Sequence, residues 1–598
     1  MGRVSYVDMD ILDLTDAAVS EDDPRYRREI KRPSDYHRED KLRMYYLDEI
    51  DDIYYVSLES FASIFEDDIV NGLRSSCTEE NGISTWTLKR GIKIVYQIVL
   101  DPFEKTMSVD GLDMNTYIIN SINTGNSGLG RYCSTSTSFV EGHENTTRVY
   151  SFGDYGFETF EANGHYCYPF ALLSAELSRA CDRSFLFLSA TQEIIEYGAK
   201  EQISLTKFKN PDDTEISAEQ YIQNAYDSLY GSGLPGEYPV EPYSLREFNM
   251  NLFYFIMDNY YGISDEKGIK SMRSYFEAFE DSDAFLSENG TNRGNAYFKL
   301  IQMLNDLHTA YTYSPYFGEF GDSEGIYSQT LYRIRMDLVT FLKDLRQSAI
   351  DDYNDSHNTN FDETNVRYSS DGRYGYFSFD SFSTYHTFND WFIPENVLNQ
   401  DTFNLFVKNL NECKQNGVER VIIDDSCNSG GYVINMLKLL GLLSKNNDST
   451  VYIQGGDNNS IQKIDIKVDS NKDGYYDETD SFGNDFEFYI VTSNFSYSCG
   501  NAFPFCAAST NYAKTIGQKS GGGECCVYGF NFPSGQGLKY SSPFHLGFYG
   551  NDDTFRGAEV GTFTQFDIGN GFHDFYNVDT LAAHIEEVEG QGMPFGPF

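Results

Sequence analysis

Residues 488–505 constrain the fold of this chain most, because they have the pattern of a buried strand, a tight turn and a helix. Residues 488–491 are apolar and β-prone, small polar residues follow, and an apolar run at helical spacing begins at Ala502. A serine at such a turn is where layered α/β enzymes place a nucleophile. The turn directs the hydroxyl away from the sheet, and the helix N-terminus offers free backbone N–H groups to a developing oxyanion. Ser498 is therefore a candidate nucleophile, and an ordinary serine helix cap is the alternative.

The segment around this stretch, residues 361–598, alternates between predicted strands and helices. Such alternation predicts a layered α/β domain with a largely parallel sheet. The predicted strands cover residues 374–379, 418–423, 451–454, 488–491 and 514–516, and the predicted helices begin near Asp401, Val433 and Gly500.

The chain before this segment divides into three parts. Residues 1–50 are charged and aperiodic, which predicts an N-terminal arm. Residues 51–240 predict a small α+β module, and the strand–helix pattern at 53–65 recurs at 166–177, as a duplication would produce. Residues 241–360 predict a helical domain. The expected protein is thus multidomain, α/β and α+β.

Composition limits the partners. With 598 residues the chain is too long for a single core, and 40% hydrophobic residues are ample for several. A net charge of −46 argues against nucleic acid as a partner, because phosphates would be repelled. No apolar run approaches the roughly 20 residues that span a bilayer. The ten cysteines include no CxxC pair, which disfavours a zinc ribbon, and their number is compatible with a few disulfides. Near the candidate serine we expect packing residues at Cys499, Cys506, Cys525 and Cys526.

A second motif covers residues 424–431, where an apolar strand ends in a polar turn with Gly430 and Gly431. Glycines let the backbone approach a ligand closely, and successive N–H groups can hold an anion. A nucleotide-binding loop would need Lys and then Ser or Thr after the glycines. Tyr432 and Val433 stand there instead, so nucleotide binding is disfavoured.

A third motif is His308, one of only nine histidines, which follows a predicted amphipathic helix among polar residues. A histidine in that position is a candidate general base. A histidine that satisfies the last carbonyls of the helix is the alternative.

Together these motifs resemble the S41 serine peptidases, which include C-terminal processing peptidases, the tricorn core and the chlamydial protease-like activity factor. The family's strand followed by Asp, Asn and Gly-Gly corresponds to residues 424–431, and its Asp-x-His-Thr element to residues 306–309. The nucleophile turn corresponds to residues 495–500 and the next strand and turn to residues 516–522. The resemblance extends over about residues 240–598.

This resemblance implies a C-terminal core of the ClpP/crotonase type and a serine endopeptidase that acts on a peptide or protein substrate through an acyl-enzyme. The resemblance implies Ser498 as the nucleophile, His308 as the general base and Glu559 as the acid that orients it. It implies the backbone N–H groups of Gly430 or Gly431 and of Cys499 as the oxyanion donors.

Two departures from the family pattern narrow the prediction. Members with a Ser–Lys pair carry their lysine at the position of Gly523, and the nearest lysine here, Lys519, falls short of it. The histidine-dependent branch therefore fits better. The stretch between His308 and Tyr374 also lacks the strand pattern of the PDZ domain that many relatives carry.

Other functions stay open at this stage. A catalytically inactive peptide- or protein-binding member of the same fold would also explain the missing lysine. An esterase is disfavoured because the Gly-x-Ser-x-Gly pattern is absent, since Ser496 and Gly500 flank Ser498.

An independent motif at residues 469–480 fits the calcium loop of EF-hand type, with Gly474 at the sixth position. A structural Ca²⁺ is therefore predicted, and a solvated acidic loop is the alternative. The predicted oxygen ligands come from Asp469, Asn471, Asp473, Tyr475 (through its carbonyl), Asp477 and Asp480, the last standing where Glu is usual.

The calcium loop and the high negative charge favour an extracellular or cell-surface protein, since such loops fill with calcium outside cells. We expect it to be secreted by a leader that this chain does not include.

Overall fold

The structure is a computed structural model. It describes residues 3–15, 17, 19, 29–47, 53–65, 73–111, 132–181, 184–188, 191–197, 203, 205–230, 240–278, 282–313, 317, 330–383, 401–455, 459–564, 566–567 and 572–590.

Within these residues the α-helices, numbered in chain order, are α1 Leu58–Ser63, α2 Phe170–Cys181, α3 Ala218–Tyr230, α4 Tyr243–Tyr260, α5 Met272–Glu277, α6 Gly290–Leu304, α7 Thr330–His357, α8 Thr402–Gln415, α9 Val433–Leu443, α10 Cys499–Ser509 and α11 Val578–Gly590.

The strands are β1 Val4–Asp13, β2 His37–Leu47, β3 Tyr54–Ser57, β4 Leu73–Glu80, β5 Ile83–Arg90, β6 Lys93–Asp101, β7 Thr106–Asp110, β8 Cys133–Phe139, β9 Arg148–Ser151, β10 Phe160–Ala162, β11 His165–Pro169, β12 Ser184–Leu188, β13 Glu193–Tyr197, β14 Lys207–Lys209, β15 Glu215–Ser217, β16 Ala310–Tyr313, β17 Arg367–Tyr368, β18 Tyr374–Ser378, β19 Arg420–Asp424, β20 Ser449–Gln454, β21 Ile461–Val468, β22 Glu487–Thr492, β23 Ala513–Gly517, β24 Cys525–Asn531, β25 Gly537–Tyr549, β26 Phe555–Gly557 and β27 Phe566–Asp567.

The chain forms two compact units, each assembled from separated stretches of sequence. The first comprises Met1–Ile118, Asn145–Gln329 and Val527–Pro543. The second comprises Ile119–Glu144, Thr330–Cys526 and Phe544–Phe598.

The first unit contains a seven-stranded sheet of order β10-β11-β3-β2-β1-β13-β12 and a five-stranded sheet of order β4-β5-β6-β7-β9. The sequence predicts an arm over residues 1–50, whereas β1 and β2 lie inside the larger sheet. Their charged residues pair across the exposed face, as Asp8 does with Arg43 at 2.7 Å, while Met9 and Leu42 are buried. The charge that suggested an arm therefore belongs to one face of an antiparallel strand pair.

The first unit also holds α4 and α6, which the sequence predicts as helical segments. Aromatic rings join them, with Phe253 and Tyr297 5.7 Å apart at their centroids. Helix α6 ends at Leu304, where Asn305 adopts a left-handed backbone (φ 46°), and the turn that follows carries His308.

The second unit is built on a six-stranded sheet of order β17-β18-β19-β22-β23-β27. All neighbouring strands from β18 to β27 are parallel, and β17 pairs antiparallel with β18. This confirms the predicted α/β fold class. The carboxyl ends of β19 and β22 lie side by side, because Asp424 pairs with Val491 in register. Parallel sheets of this kind place ligands at that edge.

Helices cover both faces of this sheet, because side chains alternate along each strand. Val421 and Ile490 belong to the core that includes residues of α8, α9 and α10. Ile422 and Val491 belong to the core that includes residues of α7 and α11. The second unit is therefore layered as helix, sheet and helix.

Strand β20 differs from the sequence-based expectation, which counted it with the parallel strands. It pairs antiparallel with β21, with Ser449 opposite Ile466. Between α9 and β20 the backbones of Asn446 and Asn447 are left-handed (φ 60° and 53°). The chain turns there, and β20 joins an antiparallel sheet with β8, β21 and residues 545–547 of β25.

The nine cysteines with described side chains are free thiols, and among those near the candidate serine Cys499, Cys506 and Cys525 are buried. Among the described helices, none combines the length and the apolar character needed to cross a membrane.

Candidate active site

The turn that follows β22 ends at Ser498, directly before α10. The backbone of Ser498 has φ 57° and ψ −126°, a conformation that L-residues avoid, and its side chain makes no cap hydrogen bond to the helix. An ordinary cap serine would spend its hydroxyl on the helix N–H groups. The structure therefore disfavours the helix-cap interpretation and leaves a half-buried hydroxyl at a helix N-terminus.

The nucleophile turn, residues 493–498, is fastened to the end of β19 by hydrogen bonds. The Ser496 hydroxyl donates to the Asp425 carbonyl (2.8 Å), and the Ser493 hydroxyl donates to the Ser426 carbonyl (2.6 Å). The Tyr497 N–H donates to the Asn428 carbonyl at 3.0 Å. These bonds hold a strained turn in place. Moving the turn would break them and leave buried polar groups without hydrogen bonds, which costs free energy.

The glycine turn after β19 lies directly against Ser498. Gly430 has φ 108°, and a Cβ at this position would lie 2.7 Å from the Ser498 Cβ and 3.0 Å from its Oγ. Gly431 has φ 138°, and a Cβ there would lie 2.6 Å from the Phe382 carbonyl oxygen. Only glycine fits both positions, so the turn brings backbone to the serine as the sequence predicts.

The oxyanion donors can be narrowed among the predicted residues. The Gly430 N–H already donates to Asn428 Oδ1 at 2.8 Å. Among the hydrogen bonds of the described residues, neither the Gly431 N–H nor the Cys499 N–H has an acceptor. The two residues are in contact, since the Cys499 thiol donates to the Gly431 carbonyl at 3.2 Å. The pair is suited to bind developing negative charge beside Ser498.

Asn428 owes its orientation to Asp425. The Asn428 amide donates to Asp425 Oδ1 at 2.8 Å, and both side chains are fully buried. Burial raises the pKa of Asp425 well above its ordinary value, and the nearby Asp424 adds to that shift.

The thiol next to the candidate serine is not a competing nucleophile. Burial raises the pKa of Cys499 far above the ordinary value, and it raises the pKa of Cys506 to about 12. The thiolate is the reactive form of cysteine, so both thiols stay unreactive at neutral pH.

Glu559 lies in the turn after β26, and its backbone reaches the loop that touches Ser498. The Ser498 N–H donates to the Gly522 carbonyl (3.1 Å), and the Gly523 N–H donates to the Glu559 carbonyl (3.4 Å). Its carboxylate Oε2 accepts the Glu524 N–H at 2.9 Å. Asn501 of α10 holds the same turn, because its amide donates to the Ala558 carbonyl at 2.8 Å.

A buried pair of residues beside Glu559, His545 and Glu524, was not predicted from the sequence. His545 Nδ1 lies 2.8 Å from Glu524 Oε1, and the two side chains are 7% and 5% exposed. Gly557 makes room for the carboxylate, since a Cβ there would lie 2.2 Å from Glu524 Oε1. The pair anchors Glu524, which directly precedes β24 and whose N–H holds Glu559. The sequence feature that could have indicated this pair is the single histidine, His545, among the apolar residues of β25.

His308 belongs to the first unit and follows α6. Asp306 shapes its turn: Oδ1 accepts the His308 N–H (3.0 Å), and Oδ2 accepts the Thr309 and Ser541 hydroxyls (2.6 and 2.8 Å). The carboxylate is thus engaged with backbone and hydroxyl groups, and His308 itself is 7% exposed. The meeting of His308 with Ser498 stays a prediction.

The predicted calcium loop turns tightly around Asp469, whose carboxylate accepts the N–H groups of Asp473 and Gly474 (3.1 and 3.0 Å). Asp480 accepts the N–H groups of Ser470 and Asn471. Within the described ranges no three His, Cys, Asp or Glu side chains are grouped as a metal site. Calcium binding would draw the exposed carboxylates of the loop towards Asp469 and Asp480, and it stays a prediction.

Comparison with known proteins identifies the domain that carries the candidate serine. Residues 373–544 match the sequence model described as Peptidase family S41, so this part of the chain is an S41 peptidase domain. A sequence comparison with curated proteins finds no match.

Several solved structures are similar to parts of the chain. A putative peptidase from Parabacteroides merdae has 16% identity and a TM-score of 0.39 over 59% of this chain and 98% of its own. A photosystem II D1 C-terminal processing protease has 11% identity and a TM-score of 0.24, covering 37% and 51%. Mature CPAF has 11% identity and a TM-score of 0.33, covering 58% and 97%.

Proposed function

We propose that this chain, whose residues 373–544 form a peptidase S41 domain, is a serine endopeptidase with Ser498 as its nucleophile. One observation supports this most strongly. Ser498 keeps a strained backbone at a helix N-terminus, and its hydroxyl makes no cap bond. Strain of this kind persists where the surrounding structure enforces it, and it is concentrated at functional sites.

In the proposed mechanism, Ser498 Oγ attacks the carbonyl carbon of a peptide bond while His308 accepts the hydroxyl proton. His308 then gives that proton to the leaving amine, and water hydrolyses the acyl-enzyme with the same base. Glu559 orients the imidazole and stabilises its charged form. The N–H groups of Gly431 and Cys499 bind the oxyanion, and each such donor contributes about 3 kcal/mol to transition-state stabilisation.

A complex peptide mixture tests this function because it offers many different peptide bonds at once, whatever the cleavage preference. We expect the wild-type protein to create new peptide termini in a tryptic digest of a proteome, measured by mass spectrometry. Ser498→Ala should create none. Ser348→Ala removes an exposed hydroxyl on α7 and serves as the matched control.

The two outcomes separate the enzyme from the inactive alternative. Turnover that persists in Ser498→Ala contradicts the assigned nucleophile. A folded wild-type protein that retains peptides but cleaves none contradicts the peptidase and favours the binding protein.

We further propose that residues 469–480 bind a structural Ca²⁺. Support comes from the ligand spacing in the sequence and from the turn at Gly474 (φ 87°), which the sixth position of such a loop requires. The loop directly precedes β22, which leads to Ser498, so a bound ion would brace that strand.

We also propose that the protein works outside the cell or at its surface. The net charge of −46 and the calcium loop support this location. Fractionation of the producing cells, with detection of the chain by antibody, tests it, and recovery from the cytosol alone would contradict it.

A further inference from the structure

Arg335 is a buried cation whose side-chain hydrogen bonds to described residues go to the nucleophile turn. It lies on α7 with 5% of its side chain exposed. Its Nη1 donates to the Asn494 carbonyl at 2.7 Å, and its Nη2 donates to the Phe495 carbonyl at 2.6 Å. The planar guanidinium thus grips two successive carbonyls of the turn that ends at Ser498.

The charge of Arg335 is balanced by aromatic faces and carbonyl dipoles. No described Asp or Glu forms an ion pair with it, and its guanidinium carbon lies 4.7 Å from the Tyr497 ring centroid and 5.3 Å from that of Phe495. Arg346, three turns further along the same helix face, instead pairs with Asp380 at 2.8 Å. A buried charge without a carboxylate is costly, so its contacts with the turn must offset that cost.

Arg335 stays charged at neutral pH. Burial lowers its pKa to about 10, and the neighbouring Tyr497 acts in the opposite direction. Charged donors form hydrogen bonds roughly twice as strong as neutral ones. The two carbonyl contacts are therefore strong enough to fix the turn.

Gly521 provides the space for the guanidinium. A Cβ at residue 521 would lie 2.1 Å from Arg335 Nη1 and 2.5 Å from the Asn494 carbonyl oxygen. Its N–H donates to the Ser496 carbonyl at 2.7 Å. The carbonyls of three residues in the nucleophile turn, Asn494, Phe495 and Ser496, are thus held from outside.

We propose that Arg335 is a positioning residue that keeps Ser498 in its strained backbone conformation by clamping the carbonyls of Asn494 and Phe495. The inference rests on Ser498 being the nucleophile. A residue with φ 57° and ψ −126° relaxes unless its neighbours are fixed, and the clamp fixes the peptides that precede it. Arg335 touches neither the oxyanion donors nor Ser498 Oγ in the described contacts, so it acts through the turn.

The matched control is Arg367, which is buried to the same degree in the same unit. It is 2% exposed, donates to the Tyr576 carbonyl at 3.1 Å and lies 4.5 Å from the Tyr376 ring centroid. It makes no described contact with residues 493–498. Arg367→Met therefore removes the same chemistry from a place outside the nucleophile turn.

The first readout is the rate of inactivation by a small fluorophosphonate, which reports Ser498 geometry without remote substrate contacts. We expect Arg335→Met to slow labelling of folded protein about 100-fold, the loss that a displacement of about 1 Å causes. Arg335→Lys keeps the charge but only one carbonyl contact, so its rate should lie between those of Arg335→Met and the wild type. Arg367→Met should label at the wild-type rate.

The second readout is hydrogen exchange of the peptides that cover residues 493–499, which needs no activity. We expect faster exchange in Arg335→Met and no change there in Arg367→Met. Wild-type protein that fails to label contradicts the proposed peptidase, while exchange still tests the clamp. Equal labelling rates in Arg335→Met and wild type, or unchanged exchange, overturn the positioning role and leave the peptidase intact.

Discussion

Ser498 occupies a backbone conformation that favours glycine, yet a hydroxyl-bearing residue stands there. Glycine or an ordinary turn would relieve a strain of about 1–3 kcal/mol, so the strain is balanced by contacts elsewhere. The Ser496 and Ser493 hydroxyls and the Arg335 guanidinium supply those contacts at the turn. The folded protein thus loses some stability at Ser498, and in return the orientation of the Ser498 side chain is fixed.

This exchange predicts an order of stability for two inactive variants. Ser498→Gly should be more stable than Ser498→Ala by about 1 kcal/mol, because glycine adopts positive φ without strain. The free energies of unfolding in urea measure the difference. A Ser498→Gly protein less stable than Ser498→Ala would show that the backbone at this position is not strained.

The raised pKa of Asp425 predicts that the free energy of unfolding depends on pH. Its pKa is raised by burial in the folded protein, so its favourable contribution is present below the unfolded value of about 4 and is lost as pH rises through the folded-state pKa. Asp425→Asn removes this loss while it keeps an oxygen for Asn428.

We therefore expect Asp425→Asn to become more stable relative to the wild type as the pH rises from 5 to 8, so that the difference in their free energies of unfolding grows in favour of the variant. Urea unfolding at both pH values measures it. The exposed Asp553→Asn is the control and should show no such trend. A constant difference for Asp425→Asn would contradict the raised pKa.

At the scale of elements, the parallel strands were predictable because each is a short apolar run followed by a polar turn. Strands β18, β19, β22 and β23 agree with their predicted positions to within two residues. The antiparallel pairing of β20 was not predictable, since a half-buried strand carries no sign of its partner. Arg335 and Asn494 are 159 positions apart, and local periodicity says nothing about such a contact.

The candidate site shows the same division. Ser498, Gly430 and Gly431 could be predicted from the local sequence, because tight turns after strands favour glycine and small polar residues. The Glu524–His545 pair depends on two strands meeting, and neither residue has a local pattern. The sequence therefore predicts the candidate residues, and the tertiary contacts that hold them are visible only in the structure.

The loop of residues 469–480 carries a prediction about metal removal. If it binds Ca²⁺, added calcium should raise the thermal midpoint, with about 2.7 kcal/mol of stabilisation at 100 times the dissociation constant, and EGTA should reverse the rise. Asp469→Asn combined with Asp473→Asn should abolish the calcium effect, while Asp553→Asn should preserve it. An identical midpoint with calcium and with EGTA would identify a solvated acidic loop.

At the scale of the whole molecule, the proposed mechanism joins residues of both compact units. His308 belongs to the first unit and Ser498 to the second, so the mechanism proposed above needs residues of both. The net charge of −46 belongs to the same chain and favours solubility.

The most direct test of this mechanism is covalent labelling of wild-type protein and of His308→Ala by a fluorophosphonate, with the modified residue located by mass spectrometry. We expect the label on Ser498 in the wild type and at least a 1,000-fold slower reaction in His308→Ala, since a serine without its base loses about that much or more. A label on another residue, or equal rates in the two proteins, would contradict the Ser498–His308 mechanism.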